Sequence, residues 1–480
     1  MNAETATLPR NDFPDWISPM LVKELRQGMR TRVFVFSFIL VQILMTLNVV
    51  IGLLSTSNNM DVGAVYFFFW AMVVLPVVFV LPFSGLGALS SEKSANTLEL
   101  IFLTRLSAWR IVLGKWFAIV AQTTLFLCAV LPYVVLRYFM GGVNLGDELL
   151  MLAFIVFGSA VFTAVTVGLS PFQNRVTIVF TILGGIFLLW IFLVFIFSAT
   201  IGSMGMFSSI GSTGIWKFCI TVLLFGVLII LLMLQIAAGK VAPAAENHSA
   251  AKRLIGVAFL AATLILIALG AVPLATVVLA LACCGPLLIG AVCDTIRWNH
   301  AVYRPFVRRG LLGRLLGSIL YPGWPAGSIF ALILMLAFGA ILGFHKAFDN
   351  DRTTLIFAGA IGTVFFPAAI TRVFFVRTET PLPFFIGTVA ICSVFTILAN
   401  VLDNIFNTEL RTMICILPPC ALIQSILNLI QPSQIIAAIV ACGIGTIASL
   451  LLLLARSIPE WRRIRSVEKE IAAPADEPVA

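Results

Sequence analysis

Residues 90–116 read SSEKSANTLELIFLTRLSAWRIVLGKW, and the rest of the chain is organised around this polar stretch. It separates two long apolar runs, roughly 66–89 and 111–136. Charged side chains of this kind are rarely placed in hydrocarbon, and the stretch carries six of them: Glu92, Lys93, Glu99, Arg105, Arg110 and Lys115. We therefore expect it to lie at a membrane surface, between two membrane spans.

The same stretch also has the pattern of a short helix. Asn96 is a good N-cap, and Glu99, three residues later, can reach back to it. Leu98 and Phe102 then share one face, and Ser107 can cap the helix that enters the next span. The pattern predicts a half-apolar surface helix whose apolar side contacts lipid headgroups or another protein. The alternative is a solvated loop that only reverses the chain.

Composition determines the fold class. Of the 480 residues, 61% are hydrophobic and only 11% are charged, whereas soluble proteins average about 25% charged residues. Apolar runs of about 20 residues predict transmembrane helices, while β-barrel strands are short and alternating. We predict an all-α polytopic membrane protein with about 12 spans, at 33–54, 65–89, 111–136, 148–169, 176–198, 215–238, 254–270, 272–293, 325–344, 355–376, 384–402 and 434–455.

The placement of charge predicts the topology. The net charge is +9, and the Lys and Arg residues cluster beside the ends of apolar runs. The positive-inside rule then places 90–110, 170–175 and 239–253 on the cytoplasmic side. It predicts a multi-pass protein of the cytoplasmic (inner) membrane with both termini in the cytoplasm.

Segment 413–430 is apolar, but a full span there would place the basic tail outside, against the charge rule. Pro418 and Pro419 also interrupt any helix in it. We therefore predict an external re-entrant segment or broken hairpin at 413–430, followed by a last span that returns the tail to the cytoplasm.

Two basic amphipathic segments are predicted to lie in the membrane interface. In the first, Ser18 caps a helix that starts at Pro19. One face is apolar (Leu21, Val22, Leu25, Met29) and the other is polar and mostly basic (Lys23, Arg26, Gln27, Arg30). The second, 294–314, has several arginines among aromatic residues.

The polar stretch resembles a motif of the ABC-2 type permease family. The matching residues are Glu92, Thr97-Leu98-Glu99, Thr104 to Ser107 and Ile111 to Lys115. In that family the pattern E…GTLE…LL.TPLS…IVLGK forms a cytoplasmic coupling helix that docks on the ATPase subunit. Asn96 and Arg105 depart from the pattern, since the family usually has Gly and Pro there. Residues 19–26 (PMLVKELR) are similar to the interfacial elbow helix that opens these permeases.

The resemblance implies a membrane permease subunit that moves a substrate across the membrane. The spans are rich in phenylalanine, which is consistent with a lipid-linked or amphipathic cargo. A separate ATPase subunit would bind the ATP, and this chain would hold no cofactor directly. Its ATPase-docking residues would be Glu92, Thr97, Leu98, Glu99, Phe102, Thr104 and Ser107, and its elbow residues Pro19, Lys23, Glu24, Leu25 and Arg26. Membrane lipids and a second permease copy are the further expected partners; the alternative is that one chain supplies both permease halves.

The expected organisation follows this scheme. Residues 1–32 form the cytoplasmic N-terminus with the elbow, and 33–240 a six-span permease half that contains the coupling segment 90–110. Residues 241–293 form a two-span insert, 294–456 a second, degenerate half, and 457–480 a cytoplasmic tail.

Motifs for other chemistry are missing from the sequence. No acid lies in the middle of a predicted span, which argues against a secondary carrier. His248, His300 and His345 fall in three separate loops without catalytic or metal-binding spacing, and Gly114-Lys115 and Gly239-Lys240 lack the rest of a Walker A motif. We therefore expect no catalytic or metal site and no ATPase activity in this chain. A non-transporting membrane enzyme or an assembly scaffold is the alternative function.

Overall fold

The computed structural model describes residues 19–57, 62–90, 107–140, 145–172, 211–243, 246–296, 299–374, 381–406 and 410–472. Within these ranges the chain forms only helices and turns, and 11 of the helices are long and apolar enough to cross a membrane. The prediction of an all-α polytopic membrane protein is therefore confirmed. The predicted span 176–198 lies outside the described residues.

The chain separates into two compact units, 1–242 and 243–480. The described helices of the first unit are α1 (Pro19–Met29), α2 (Arg32–Ser57), α3 (Val62–Val74), α4 (Ala108–Met140), α5 (Leu145–Leu169) and α6 (Gly211–Val241). One buried cluster joins helices α2, α3, α4 and α5. Its members include Met45, Phe69, Trp70, Phe126 and Ile155. Many large apolar side chains elsewhere on these helices are exposed, as expected where lipid replaces water.

An ion pair is buried within the first unit. Arg137, near the end of α4, lies 3.4 Å from Glu148, near the start of α5. The Arg137 guanidinium also lies 4.2 Å from the centre of the Phe69 ring. Both charged groups are almost fully buried, so each offsets part of the desolvation cost of the other. The pair therefore fixes α4 against α5 at this end of the unit.

The span that begins with α3 becomes irregular in its second half. A π-helix (Leu75–Val80), a three-residue α-helical turn (Leu81–Phe83) and a 3-10 turn (Ser84–Gly87) follow α3. Pro76 and Pro82 have no N–H to donate to the helical ladder. Some backbone groups of this stretch therefore need partners outside it.

Hydroxyl groups of α5 and of the turn after it supply those partners. Ser159 donates to the Val77 carbonyl and Thr166 to the Pro82 carbonyl, both at 2.7 Å. Ser170 donates to the Leu86 carbonyl at 2.8 Å and accepts the Leu89 N–H at 2.9 Å. The irregular stretch is thus tied to its neighbour along its whole length.

In the second unit, the spanning helices before the final hairpin are α7 (His248–Ala268), α8 (Pro273–Cys293), α11 (Trp324–Phe344), α12 (Asp351–Phe374) and α13 (Leu382–Phe406). Two short helices, α9 (His300–Val307) and α10 (Gly310–Leu320), lie between α8 and α11, where the sequence predicted an interfacial segment. The unit closes with α14 (Leu410–Met413), a 3-10 turn (Ile414–Ile416), α15 (Pro418–Ile426) and the long α16 (Ile435–Ala472).

Residues 410–430 form a hairpin that does not cross the unit. Its two ends meet, because Arg411 donates to the Leu429 carbonyl at 3.2 Å. Its turn lies beside Gly445 of α16, where a Cβ atom would overlap the Ile416 carbonyl. At the end of the hairpin, Ile430 packs in one cluster with Ile435 of α16. Ile435 is ten residues from Gly445, which is about 15 Å along a helix.

The hydrocarbon core of a bilayer is about 30 Å thick, so the hairpin turns back about halfway. It is buried among α12, α13 and α16, and Pro418, Cys420 and Ala421 have almost no exposed surface. The prediction of a broken, re-entrant segment rather than a span near 413–430 is confirmed in its backbone path.

Candidate functional site

Most of the predicted ATPase-docking residues lie outside the described ranges: Glu92, Thr97, Leu98, Glu99, Phe102 and Thr104. Ser107 is described and directly precedes α4. Its carbonyl accepts the N–H groups of Arg110 at 3.0 Å and Ile111 at 3.3 Å, which starts the helix at the predicted place.

The two described ends of the predicted coupling segment meet in one buried cluster. Leu89 on one side and Ala108 and Ile111 on the other pack together with residues of α5 and α6. Ser170 accepts the N–H groups of Leu89 and Ser90 at 2.9 and 3.3 Å, which fixes the first flank. The described residues on either side of 91–106 are therefore neighbours, and both are anchored in the core of the first unit.

The predicted elbow residues belong to α1, which packs against α4. Lys23 and Arg26 are exposed, whereas Glu24 and Leu25 are partly buried, and Pro19 is the first helical residue. Gly28 faces Gln122 of α4 so closely that a Cβ atom would overlap the Gln122 amide. This close approach seats α1 directly on α4.

A salt bridge links α1 to the start of α4. The Lys115 ammonium lies 3.2 Å from Glu24 Oε1, and the side chains are 4% and 20% exposed. A lysine this deeply buried requires a nearby counter-charge, since desolvation of an ammonium group costs several kcal/mol. The pair therefore fixes the position of the elbow relative to the span that follows the coupling segment.

Both residues lie in motifs that stand out in the sequence, but their pairing was not predicted. Lys115 belongs to the motif IVLGK, and Glu24 belongs to the motif KELR, 91 positions earlier. The available signal was a lysine inside an apolar helical run, which calls for an acidic partner. The sequence offered several acids and no means to choose among them.

A second polar cluster surrounds Asp294 at one end of the second unit. The Ser249 hydroxyl donates to Asp294 Oδ2 at 2.6 Å, and the Gly323 N–H donates to the same oxygen at 3.5 Å. Arg372 donates to the Asp294 carbonyl at 3.2 Å and lies 5.1 Å from the Trp324 ring centre. Elements α7, α8, α11 and α12 are thus joined through one carboxylate residue.

The charge of this carboxylate is stabilised by its surroundings. Burial alone would raise the pKa of Asp294, but nearby cations and hydrogen-bond donors outweigh it and hold the pKa below its ordinary value. These groups are Lys252, Ser249, Arg253 and the Gly323 N–H. Arg253, itself fully buried, also donates to the carbonyls of Ile319 and Gly323.

The three histidines lie in three separate places in the fold. His248 lies 2.9 Å from Glu246, and His300 lies 3.4 Å from Glu470. His345 caps the end of α11. In the described part of the chain, no three His, Cys, Asp or Glu side chains come together in a way that would hold a metal ion.

Comparison of the chain with protein-family models, with curated proteins and with solved structures gives no match.

Proposed function

We propose that the chain is the membrane permease subunit of an ABC-2 type transporter, powered by a separate ATPase subunit. The observation that carries the proposal is the salt bridge between Lys115 and Glu24. This salt bridge joins the two sequence motifs that resemble the family, the PMLVKELR motif in α1 and the IVLGK motif of α4. The two resemblances thus belong to one structural unit.

The mechanism follows from the anchoring of the coupling segment. Its flanks at Leu89 and Ala108 share one core with α5 and α6, so a push on the segment is transmitted to several spans at once. The irregular stretch 75–87 lies directly before it. Closure of a docked ATPase would move this assembly as a lever and switch the spans between inward- and outward-facing arrangements.

The proposed site is cytoplasmic, in the inner membrane, and its partner contacts are Glu92, Thr97, Leu98, Glu99, Phe102, Thr104 and Ser107. The cargo would be lipid-linked or amphipathic and would pass along apolar walls rich in phenylalanine. Large apolar side chains are exposed on the spans, which is compatible with an apolar cargo.

The test is co-purification from the source organism in mild detergent. The wild-type chain should bring with it a subunit that has a Walker A motif and hydrolyses ATP. The variant Glu99→Lys, and the double variant Leu98→Asp with Phe102→Asp, should reach the membrane in normal amount but lose this subunit. Lys23→Gln, on the exposed face of α1, serves as the matched control and should retain it.

Recovery of the ATPase at wild-type yield with both sets of variants would refute the docking role. A second test is labelling of a cysteine placed at position 98 from either side of the membrane. Labelling from the cytoplasmic side supports the proposal, and labelling only from the outer side contradicts it.

A further inference from the structure

Helices α9 and α10 and the end of α16 form one packed body. The rings of Tyr303 and Tyr321 lie 4.8 Å apart, and the Tyr321 hydroxyl donates to Glu468 of α16 at 2.7 Å. Ile464 of α16 is buried in the same cluster as Val302 and Tyr303. We name this body, residues 300–321 and 456–472, the basic platform.

The platform presents an excess of positive charge. Its exposed basic residues are Arg304, Arg308, Arg309, Arg314, Arg456, Arg462, Arg463, Arg465 and Lys469. The three acids each contact a neighbour within the platform: Glu460 lies 3.8 Å from Arg463, Glu468 accepts from Tyr321, and Glu470 lies 3.4 Å from His300. The outer surface is therefore basic, and its potential attracts anions.

The platform also exposes apolar side chains beside these charges. Leu315 and Leu316, next to Arg314, are 65% and 52% exposed, while Gly313 and Gly317 on the other side of α10 pack inward. A helix with leucines exposed beside an arginine is suited to the boundary between headgroups and acyl chains.

The position of α10 in the fold places it at that boundary. Arg253, six residues into the span His248–Ala268, donates to the Ile319 carbonyl in the last turn of α10. The next span, Trp324–Phe344, begins a few residues after α10 ends. The helix therefore lies at the depth where the spans end rather than out in the solvent.

We propose that the basic platform binds the headgroups of anionic phospholipids. The arginines and Lys469 attract the phosphate groups, and Leu315 and Leu316 enter the upper part of the acyl region. Juxtamembrane basic residues gain binding energy from anionic lipid, and the gain is lost in neutral lipid or at high salt. An acidic protein segment would satisfy the charges but would give the two exposed leucines no role.

The test measures binding of dansyl-labelled phosphatidylglycerol to the purified full chain in mixed micelles. The double variant Arg308→Gln with Arg314→Gln should bind about 25-fold more weakly, or about fivefold for each charge removed. Leu315→Ser with Leu316→Ser should also weaken binding. Inorganic phosphate, which has no acyl chain, should compete poorly, which distinguishes a lipid site from a phosphate site.

The matched control is Lys217→Gln with Lys346→Gln, which removes two exposed charges from other parts of the chain and should leave the affinity unchanged. Melting in phosphatidylcholine micelles checks that each variant is folded, and Arg462→Gln with Arg465→Gln replaces the first pair if it is not. Equal affinity of wild type and platform variants, or equal binding of phosphatidylcholine and phosphatidylglycerol by the wild type, overturns the proposal.

Discussion

Lys115 and Glu24 are 91 positions apart in the chain, yet their charged groups lie 3.2 Å from each other at the contact of α1 with α4. Lys115 is nearly inaccessible, whereas Glu24 keeps some contact with solvent. The two partners are therefore unequal, and their separate removal should have different effects.

Replacement of Lys115 by Met removes the buried charge and leaves Glu24 with a route to water. Replacement of Glu24 by Gln removes the carboxylate charge that lies 3.2 Å from the buried ammonium. This variant should be less stable than wild type by about 1–3 kcal/mol, and less stable than Lys115→Met. The measurement is the unfolding midpoint of the purified chain in detergent. The double variant should recover much of the loss, and Lys23→Met on the exposed face should change stability by less than about 0.5 kcal/mol. Equal midpoints for Glu24→Gln and Lys23→Met would contradict the assigned pairing.

Ser170 holds the irregular stretch before the coupling segment, through bonds to Leu86, Leu89 and Ser90. Ser170→Ala leaves the buried Leu89 N–H without this acceptor, which should cost about 1–3 kcal/mol. Amide hydrogen exchange at residues 86–90 should become faster, because opening there is less costly. Ser393→Ala is the control, since that hydroxyl only donates to the carbonyl of Val389 in its own helix. Unchanged exchange at 86–90 would show that Ser170 does not brace this stretch.

Gly445 is required by the hairpin, because a Cβ atom there would overlap the backbone carbonyl of Ile416. Gly445→Ala should therefore displace the hairpin and increase the reaction of a thiol reagent with Cys415 and Cys420, which are buried in the wild type. Gly443, two residues earlier, has open space around it. Gly443→Ala should stabilise α16 by up to about 1 kcal/mol and leave the thiols protected. Similar labelling of the two variants would argue against the close approach.

Asp294 predicts a pH dependence of stability. A carboxyl whose pKa is lowered on folding stabilises the folded state above its ordinary pKa, about 3.9. This contribution is lost as the pH falls through the lower pKa of the folded protein. Asp294→Asn should thus be less stable than wild type at pH 7, by about 1–3 kcal/mol, and the difference should narrow below about pH 4. The test is to measure the unfolding midpoints of wild type and Asp294→Asn between pH 3 and pH 7. A stability difference that stays constant over this range would show that ionisation of the Asp294 carboxylate is not its cause.

Much of the fold was predictable because it depends on composition. Long apolar runs can satisfy their backbone only as helices in a bilayer, and 11 of the predicted spans are found among the described residues. The hairpin was predictable from two independent signs, the pair Pro418-Pro419 and the basic tail that follows it. Each sign expresses a local physical rule that needs no tertiary information.

The contacts that position the candidate site depend on partners distant in sequence, and these were not predictable. A serine or threonine in a span looks the same whether it bonds to its own helix, as Ser393 does, or to an irregular neighbour, as Ser159 does. The span predicted at 65–89 contains Pro76 and Pro82, but neither its irregular second half nor the π-helix there was predicted. The Asp294 cluster likewise brings together residues from 249 to 372.

The hairpin at 410–430 has a consequence for how such a chain can change over evolutionary time. A segment that enters and leaves the membrane on the same side does not change whether the number of membrane crossings is odd or even. Gain or loss of the whole hairpin would leave α16 pointing in the same direction, whereas gain or loss of one complete span would invert it. The interior of this unit can therefore acquire new buried surface without reversing the orientation of everything that follows.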